Sequence, residues 1–143
     1  MSKQIFRLVA LLAILLLPVQ LAQGGGVHGT VKSVCDSVFW TYSTGTGTLE
    51  LNASSASSAM QVLEVRVHLG AATTTETLKV SIDSTLGAYY DAALSTQTMT
   101  GVGDYVFRPS SECILDKNDL LKVWCPNAAG TRWGAVIIWR KRD

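Results

Sequence analysis

The stretch Leu63-Glu64-Val65-Arg66-Val67-His68-Leu69 decides the fold class of this chain. Its aliphatic residues occupy every second position, and charged or polar residues fill the positions between them. Because successive side chains of a β-strand point to opposite faces, this period of two predicts a strand over Val62–Leu69 with one buried face. The alternation puts Leu63, like the other aliphatic residues, on that buried face. Thr77–Asp83 repeats the pattern and predicts a second strand of the same kind.

The rest of the chain after Val27 has the composition of short strands and turns, rich in Thr, Ser, Val and aromatic residues and interrupted by Gly and Asn. Six further strands are predicted: Val38–Tyr42, Thr48–Leu51, Tyr89–Leu94, Tyr105–Arg108, Leu120–Cys125 and Trp133–Arg140. This number and spacing of strands predicts one all-β domain, a single antiparallel β-sandwich of jelly-roll type. A closed barrel is the alternative architecture.

The last predicted strand, Trp133–Arg140, is apolar on both faces. Such a strand either lies centrally with both faces covered, or presents its second face to a partner. Ile138 is the residue of that second face that we expect to contact a partner.

The first 24 residues have the layout of a secretory signal peptide. Lys3 and Arg7 form a positive start, Leu8–Leu17 is an unbroken apolar run, and small residues precede a cleavage point after Gly24. The run is shorter than the about 20 residues of a spanning helix, but a retained membrane anchor is the alternative. We therefore expect a hydrophobic signal helix in residues 1–24, a domain in residues 25–143, and an extracytoplasmic location.

The charge of the chain argues against nucleic-acid binding. Two of the 12 bases precede Gly24, so ten bases remain against 11 acids and the body carries a net charge of −1. A near-neutral body gives no electrostatic reason to bind a polyanion.

Three cysteines, Cys35, Cys113 and Cys125, follow the signal peptide. An oxidising compartment favours one disulfide, which leaves one thiol over. The segment Asp116–Asp119 predicts a tight turn in preference to a calcium loop, because it lacks the glycine and the distal Glu of an EF-hand.

A hairpin at this turn would place Cys113 opposite Lys122 and Cys125 opposite Ser110. The two sulfurs would then point to opposite sides of the sheet. We therefore expect Cys35 to be joined to Cys113 or to Cys125.

The residues that catalysis would require are few. The chain has only two histidines, His28 and His68, and lacks the sequence motifs of nucleophilic, phosphate-binding and zinc-dependent enzymes. We expect no enzyme activity, no cofactor and no metal site. A small secreted hydrolase that uses two carboxylates stays the third-ranked alternative.

Aromatic residues are the candidate binding residues. Trp124, Tyr89, Tyr90 and Trp133 lie in the second half of the chain, and Trp124 alternates with Val123 so that it faces away from the core. Exposed Trp and Tyr side chains stack on sugar rings or anchor protein partners, whereas buried ones fill the core.

Five stretches between Met60 and Trp139 carry a resemblance to known proteins. They are Leu63–Leu69, Leu78–Ser84, Tyr105–Pro109, Leu115–Val123, and Asn127 followed by Trp133-Gly134. These stretches resemble small β-sandwich proteins predicted in phage and environmental virus genomes. In that pattern the turn before the penultimate strand usually reads Gly-Asp, where this chain has Asn118-Asp119. The resemblance implies a virion-associated or surface-display role. The signal peptide departs from it, since tailed-phage virion proteins assemble in the cytoplasm.

Together these features predict an exported, non-catalytic structural or adhesive subunit that acts through protein–protein contacts, as a homo-oligomer. The second interpretation is a secreted carbohydrate-binding module that uses Trp and Tyr stacking, with a glycan as its partner. A membrane is a partner only if the N-terminal segment is retained.

Overall fold

The computed structural model describes residues 28–32, 38–71 and 76–142, and within them the chain forms ten β-strands and one 3-10 helix. The strands are β1 His28–Lys32, β2 Val38–Thr46, β3 Leu49–Ala53, β4 Ala59–Leu69, β5 Thr77–Asp83, β6 Ala92–Thr98, β7 Asp104–Phe107, β8 Cys113–Leu115, β9 Leu120–Cys125 and β10 Arg132–Arg142. The 3-10 helix spans Ala88–Tyr90. The predicted all-β class is confirmed.

The strands form two antiparallel sheets that face each other as a sandwich. The six-stranded sheet has the order β1-β2-β10-β4-β7. The sixth strand, β8, lies on the same side of β4 as β7: β7 pairs with Val65–His68 and β8 with Met60–Val62. The four-stranded sheet has the order β3-β9-β5-β6. The pairing is nested: β2 pairs with β10, β3 with β9, β4 with β7 and β8, and β5 with β6.

The core lies between the two sheets and is built from their inward-facing side chains. Leu49, Leu51, Leu78, Val80, Leu121 and Val123 enter it from the four-stranded sheet, and Val65, Val67, Trp133, Ile137 and Trp139 from the six-stranded sheet. The Trp139 ring stacks on Phe39 with centroids 4.5 Å apart, and its Nε1 donates a hydrogen bond to Thr41 Oγ1 at 3.0 Å. Burial of this apolar surface is the main stabilising contribution to the fold.

A β-bulge changes the side-chain alternation of β4. Ile138 pairs with Glu64 but the next residue, Trp139, pairs with Val62, so Leu63 is an extra residue on β4. Because opposed residues share a face, the bulge turns Val62 into the core and leaves Leu63 only half-buried. The expectation that Leu63 lies on the buried face with Val65 is therefore wrong.

The segment Asp116–Asp119 forms the predicted turn, but the predicted hairpin is wrong. The Asp119 amide donates to the Asp116 carbonyl at 3.1 Å, and Asn118 has a φ of 69°, a conformation that Asn tolerates. The flanking strands do not pair: β8 lies in the six-stranded sheet and β9 in the four-stranded one. The turn carries the chain from one sheet to the other.

Other boundaries differ from those predicted. The segment Tyr89–Leu94 is not one strand, because its first two residues end the 3-10 helix and β6 starts at Ala92. The predicted signal peptide, Cys35 and most of the predicted loop Gly70–Thr75 lie outside the described residues. Among the described residues, no helix is both long and apolar enough to cross a membrane.

Candidate functional site

The outer surface of the six-stranded sheet carries a continuous set of outward-facing side chains, which we call the six-strand face. It comprises Trp40, Tyr42, Thr44, Glu64, Arg66, His68, Asp104, Val106, Ile114, Val136 and Ile138. In register, Tyr42, Val136, Arg66 and Val106 form one row across four strands. The neighbouring row runs through Trp40 and Ile138. Aromatic and aliphatic side chains therefore meet on a surface that points away from the core.

Three large apolar side chains of this face are well exposed. The exposed fractions are 49% for Trp40, 51% for Val106 and 44% for Ile114. The sequence did not identify Trp40, Tyr42 or Val106 as candidate binding residues. In β2, Trp40 and Tyr42 flank the buried Thr41, so the alternation of side chains along the strand places both aromatic residues on the outer face. Trp40 lies beside Ile138, whereas Val106 and Ile114 lie beside Arg66 and Gln61 of β4. Exposed apolar residues on a sheet surface indicate an interaction surface.

A shallow hollow of about 440 Å³ opens in the six-strand face. Gly134 and Val136 of the central strand line it, together with Tyr42, His68 and Asp104. Gly134 provides the depression because it carries no side chain between Thr44 and His68, its partners in register. The hollow can receive a projecting side chain.

Charged groups of both signs surround the apolar residues. Glu64 lies between Arg66 and Arg108, with 2.9 Å from its Oε2 to Arg108 Nε. Hydrogen bonds from Arg66 and then Arg108 hold the pKa of the Glu64 carboxyl below its usual range. His68 Nδ1 lies 2.7 Å from Asp104 Oδ1, and both side chains are exposed. The exposure of this pair indicates a solvated surface contact.

Ile138 and Trp133 lie on opposite faces of β10. Ile138 is half-buried on the six-strand face between Trp40 and Glu64, and its contact with a partner stays a prediction. Trp133 is 8% exposed and belongs to the core, with Gly45 directly against its ring. The proposal of Trp133 as a surface binding residue is therefore corrected, because the alternation of β10 turns its odd-numbered positions inward.

Trp124 lies on the outer surface of the four-stranded sheet, as its alternation with Val123 predicts, and is 39% exposed. Its partners in register are Glu50 on β3 and Lys79 on β5. The Lys79 ammonium lies 5.9 Å from the centre of the indole ring. A hollow of about 340 Å³ adjoins this group.

Tyr89 and Tyr90 project from the loop between β5 and β6. Tyr89 is fully exposed, Tyr90 is 62% exposed, and Leu86 beside them is also exposed. These tyrosines do not lie with Trp124, since neither is among the residues that line its hollow. They form a separate exposed group at the end of the four-stranded sheet.

Cys113 and Cys125 carry free thiols. Burial raises the pKa of both thiols, which lowers their reactivity at neutral pH. Cys35 lies outside the described residues, so its disulfide stays a prediction. Within the described part of the chain, no three His, Cys, Asp or Glu side chains converge in a way that could hold a metal ion.

No protein-family model matches the chain, and no curated protein matches it. Among solved structures, the crystal structure of PirA is similar over 85% of this chain and 99% of that chain, with a TM-score of 0.42 and 10% identity. The structure of infectious bursal disease virus Gx strain is similar over 81% of this chain and 32% of that chain, with a TM-score of 0.29 and 13% identity. At these identities, function has to be inferred from the side chains of this chain.

Proposed function

We propose that this protein is an exported, non-catalytic structural or adhesive subunit that assembles with further copies of itself through the six-strand face. The observation that carries the proposal is the band formed by Trp40, Tyr42, Val136, Ile138 and Val106 on the outside of the sandwich. Aromatic residues surrounded by aliphatic ones are typical of the centres of protein interfaces.

A second copy of the chain is the partner that the charges favour. A two-fold interface joins the same patch of both subunits, so the patch must not repel itself. On β4 and β7 the six-strand face carries acids and bases together, such as Glu64 beside Arg66 and Asp104 beside His68. Such a mixture of signs is self-complementary, whereas a face of one sign would select an oppositely charged partner.

The dimensions of the face suit such an interface. Five strands spaced about 4.8 Å apart and about six residues at about 3.4 Å give a projected face of about 500 Å². Side chains roughen this surface, so its accessible area is larger and approaches the about 600–800 Å² that each partner buries in weak to standard interfaces.

We infer that the finer architecture is a jelly roll. The nested pairs alternate between the sheets: β2 with β10 in one, β3 with β9 in the other, β4 with β7 and β8 in the first, and β5 with β6 in the second. One long antiparallel hairpin rolled into a sandwich gives this order. Jelly rolls occur in viral capsid and lectin domains, and a fold by itself does not determine function, so the six-strand face carries the proposal.

Export rests on the sequence. The charged start, short apolar run and small residues before the cleavage point support a mature chain that begins at or near Gly25. N-terminal sequencing of native material tests this step. A chain that starts at Met1 or Ser2 in a membrane fraction would instead support an anchored subunit.

Light scattering of the purified mature protein during size-exclusion chromatography tests the assembly. We expect an oligomer for the wild type and a folded monomer for Ile138→Asp, because the substitution places a charge in the apolar band. Trp40→Glu repeats the test at a residue that is already half exposed. Thr96→Asp, on the exposed outside of the opposite sheet, is the matched control and should leave the oligomer intact. A monomeric wild type, or folded variants of Ile138 and Trp40 with unchanged assembly, would overturn the proposal.

A further inference from the structure

The outward side chains of the four-stranded sheet form a second surface, which we call the four-strand face. It comprises Glu50, Asn52, Lys79, Ser81, Asp83, Ala93, Thr96, Leu120, Lys122 and Trp124. One row runs Glu50, Trp124, Lys79 across β3, β9 and β5, and the next row runs Asn52, Lys122, Ser81. Trp124 is the only apolar side chain of these two rows, and hydrogen-bonding groups flank it.

The pairing of β3, β9 and β5 fixes the positions of Glu50, Trp124 and Lys79 relative to one another. Directly opposed residues in an antiparallel sheet have Cβ atoms about 4.5–5.5 Å apart, so Glu50 and Lys79 stand immediately on either side of Trp124. Sites on regular elements hold their side chains in a defined arrangement better than sites on loops. The hollow beside Trp124, about 340 Å³, lies at the lower end of the about 300–1,000 Å³ of small-molecule sites.

The charges of the four-strand face cancel. Lys122 forms an ion pair with Asp83, while Lys79 lies over the indole of Trp124 and Glu50 accepts a hydrogen bond from Asn52 Nδ2 at 3.3 Å. Two ammonium groups therefore accompany two carboxylates. A balanced surface has no attraction for a polyanion and suits an uncharged ligand.

An unpartnered acceptor lies in the same group. Asn52 Oδ1 is buried and has no hydrogen-bond partner among the described residues. A buried acceptor without a donor costs about 1–3 kcal/mol. Asn52 is among the residues that line the hollow, so a ligand hydroxyl bound there is a candidate donor to this oxygen.

We propose that the four-strand face binds a neutral saccharide, with Trp124 stacking on the C–H face of a sugar ring and Asn52 and Glu50 accepting hydrogen bonds from its hydroxyls. Trp combines a large apolar surface with a polar edge, which matches a ring that is apolar on its faces and hydroxylated at its rim. Lys79, Lys122 and Ser81 supply donors around the same ring.

A protein partner fits this surface less well. The centres of protein interfaces are depleted of charged residues, whereas both register neighbours of Trp124, Glu50 and Lys79, are charged. On the six-strand face, each aromatic residue has an aliphatic register neighbour on β10: Ile138 beside Trp40 and Val136 beside Tyr42. The two faces thus differ in the ligand chemistry that they suit.

An array of neutral and acidic oligosaccharides, probed with the purified full-length mature protein, tests the proposal. We expect binding to neutral oligosaccharides. Isothermal titration with the best oligosaccharide should then show at least tenfold weaker binding for Trp124→Ala, a few-fold loss for Trp124→Phe, which keeps an aromatic face, and a several-fold loss for Asn52→Ala. Circular dichroism of each variant establishes that it is folded.

Ser110→Ala is the matched control, since it changes an exposed residue between β7 and β8 that belongs to neither face. It should bind the oligosaccharide like the wild type. Binding to acidic oligosaccharides alone, no binding on the array, or unchanged affinity in a folded Trp124→Ala variant would overturn the inference. Ile138→Asp distinguishes the sugar-binding proposal from the assembly proposal. A monomeric Ile138→Asp variant that still binds the oligosaccharide supports sugar binding independently of the oligomer.

Discussion

The Asp119 carboxylate accepts two hydrogen bonds from Thr85, one from its backbone amide at 2.8 Å and one from its hydroxyl at 3.0 Å. The same carboxylate accepts the Asp116 amide at 3.2 Å and the Ser84 hydroxyl at 3.3 Å. Asp119 ends the turn between the two sheets, and Thr85 begins the loop that carries Tyr89. One buried side chain therefore joins the turn between the sheets to the loop of exposed tyrosines.

Replacement of Asp119 by Asn should lower the free energy of unfolding by about 1–3 kcal/mol, because the new amide group faces the Asp116 N–H and leaves this donor without an acceptor. Urea denaturation measures the change. Asp116→Asn is the matched control on the same turn, where the side chain is exposed, and should stay within about 0.5 kcal/mol of the wild type. Equal stability of the Asp119 and Asp116 variants would contradict the role of the buried carboxylate.

The same carboxylate makes the stability of the protein depend on acid pH. Burial works to raise the pKa of Asp119, but the hydrogen bonds from Thr85, Asp116 and Ser84 outweigh it and hold the pKa below its ordinary value of 3.8. A lowered pKa in the folded state gives stability that is present above about pH 4 and is lost as the pH falls through the folded value. The difference in unfolding free energy between wild type and Asp119→Asn should therefore be constant from pH 5 to 8 and narrow below about pH 4. If the difference in unfolding free energy stayed constant down to pH 2, the charge of Asp119 would not contribute to the stability.

Thr41→Val should destabilise the fold by about 1–3 kcal/mol, although Val has nearly the same shape and a higher strand propensity. The reason is that Trp139 Nε1 donates to Thr41 Oγ1 inside the core and would lose its acceptor. Thr44→Val, on the same strand but facing outwards, is the control and should change the stability by less than about 0.5 kcal/mol. Thermal unfolding of both variants gives the comparison. If Thr41→Val is as stable as the control, the indole hydrogen bond contributes nothing.

Cys113 and Cys125 should not be joined to each other. Both are free thiols in the structure: Cys113 lies on β8 opposite Val62, and the Cys125 thiol faces Glu76 Oε2 at 3.8 Å. Burial also raises the pKa of both thiols, so iodoacetamide should modify whichever of the two is not joined to Cys35 much faster in urea than in the native protein. Peptide mapping under non-reducing conditions gives the pairing. A peptide that joins Cys113 to Cys125 would contradict this placement of the two thiols, and one that joins Cys35 to either would support the disulfide predicted from the sequence.

Local alternation predicted much of the secondary structure. β5 and β9 begin and end at the predicted residues, and Trp124 faces outwards as its alternation with Val123 indicates. Only part of the candidate interaction surface was predicted from the sequence. Ile138 was identified from the two apolar faces of β10, but Trp40 and Val106 belong to the same band only because their strands flank β10 and β4.

The sequence by itself determined the strands β5 and β9, the alternation of side chains along them and the turn at Asn118, because the period of two and the turn depend only on neighbouring residues. The tertiary structure decided which strands pair. The strands on either side of the Asp116–Asp119 turn enter different sheets, and β10 pairs with β2 and β4, which are distant in the sequence. It also placed the bulge at Leu63 that brings Val62 into the core. These choices depend on which long-range pairing buries the most apolar surface, and that quantity is a property of the whole packed chain rather than of any local stretch.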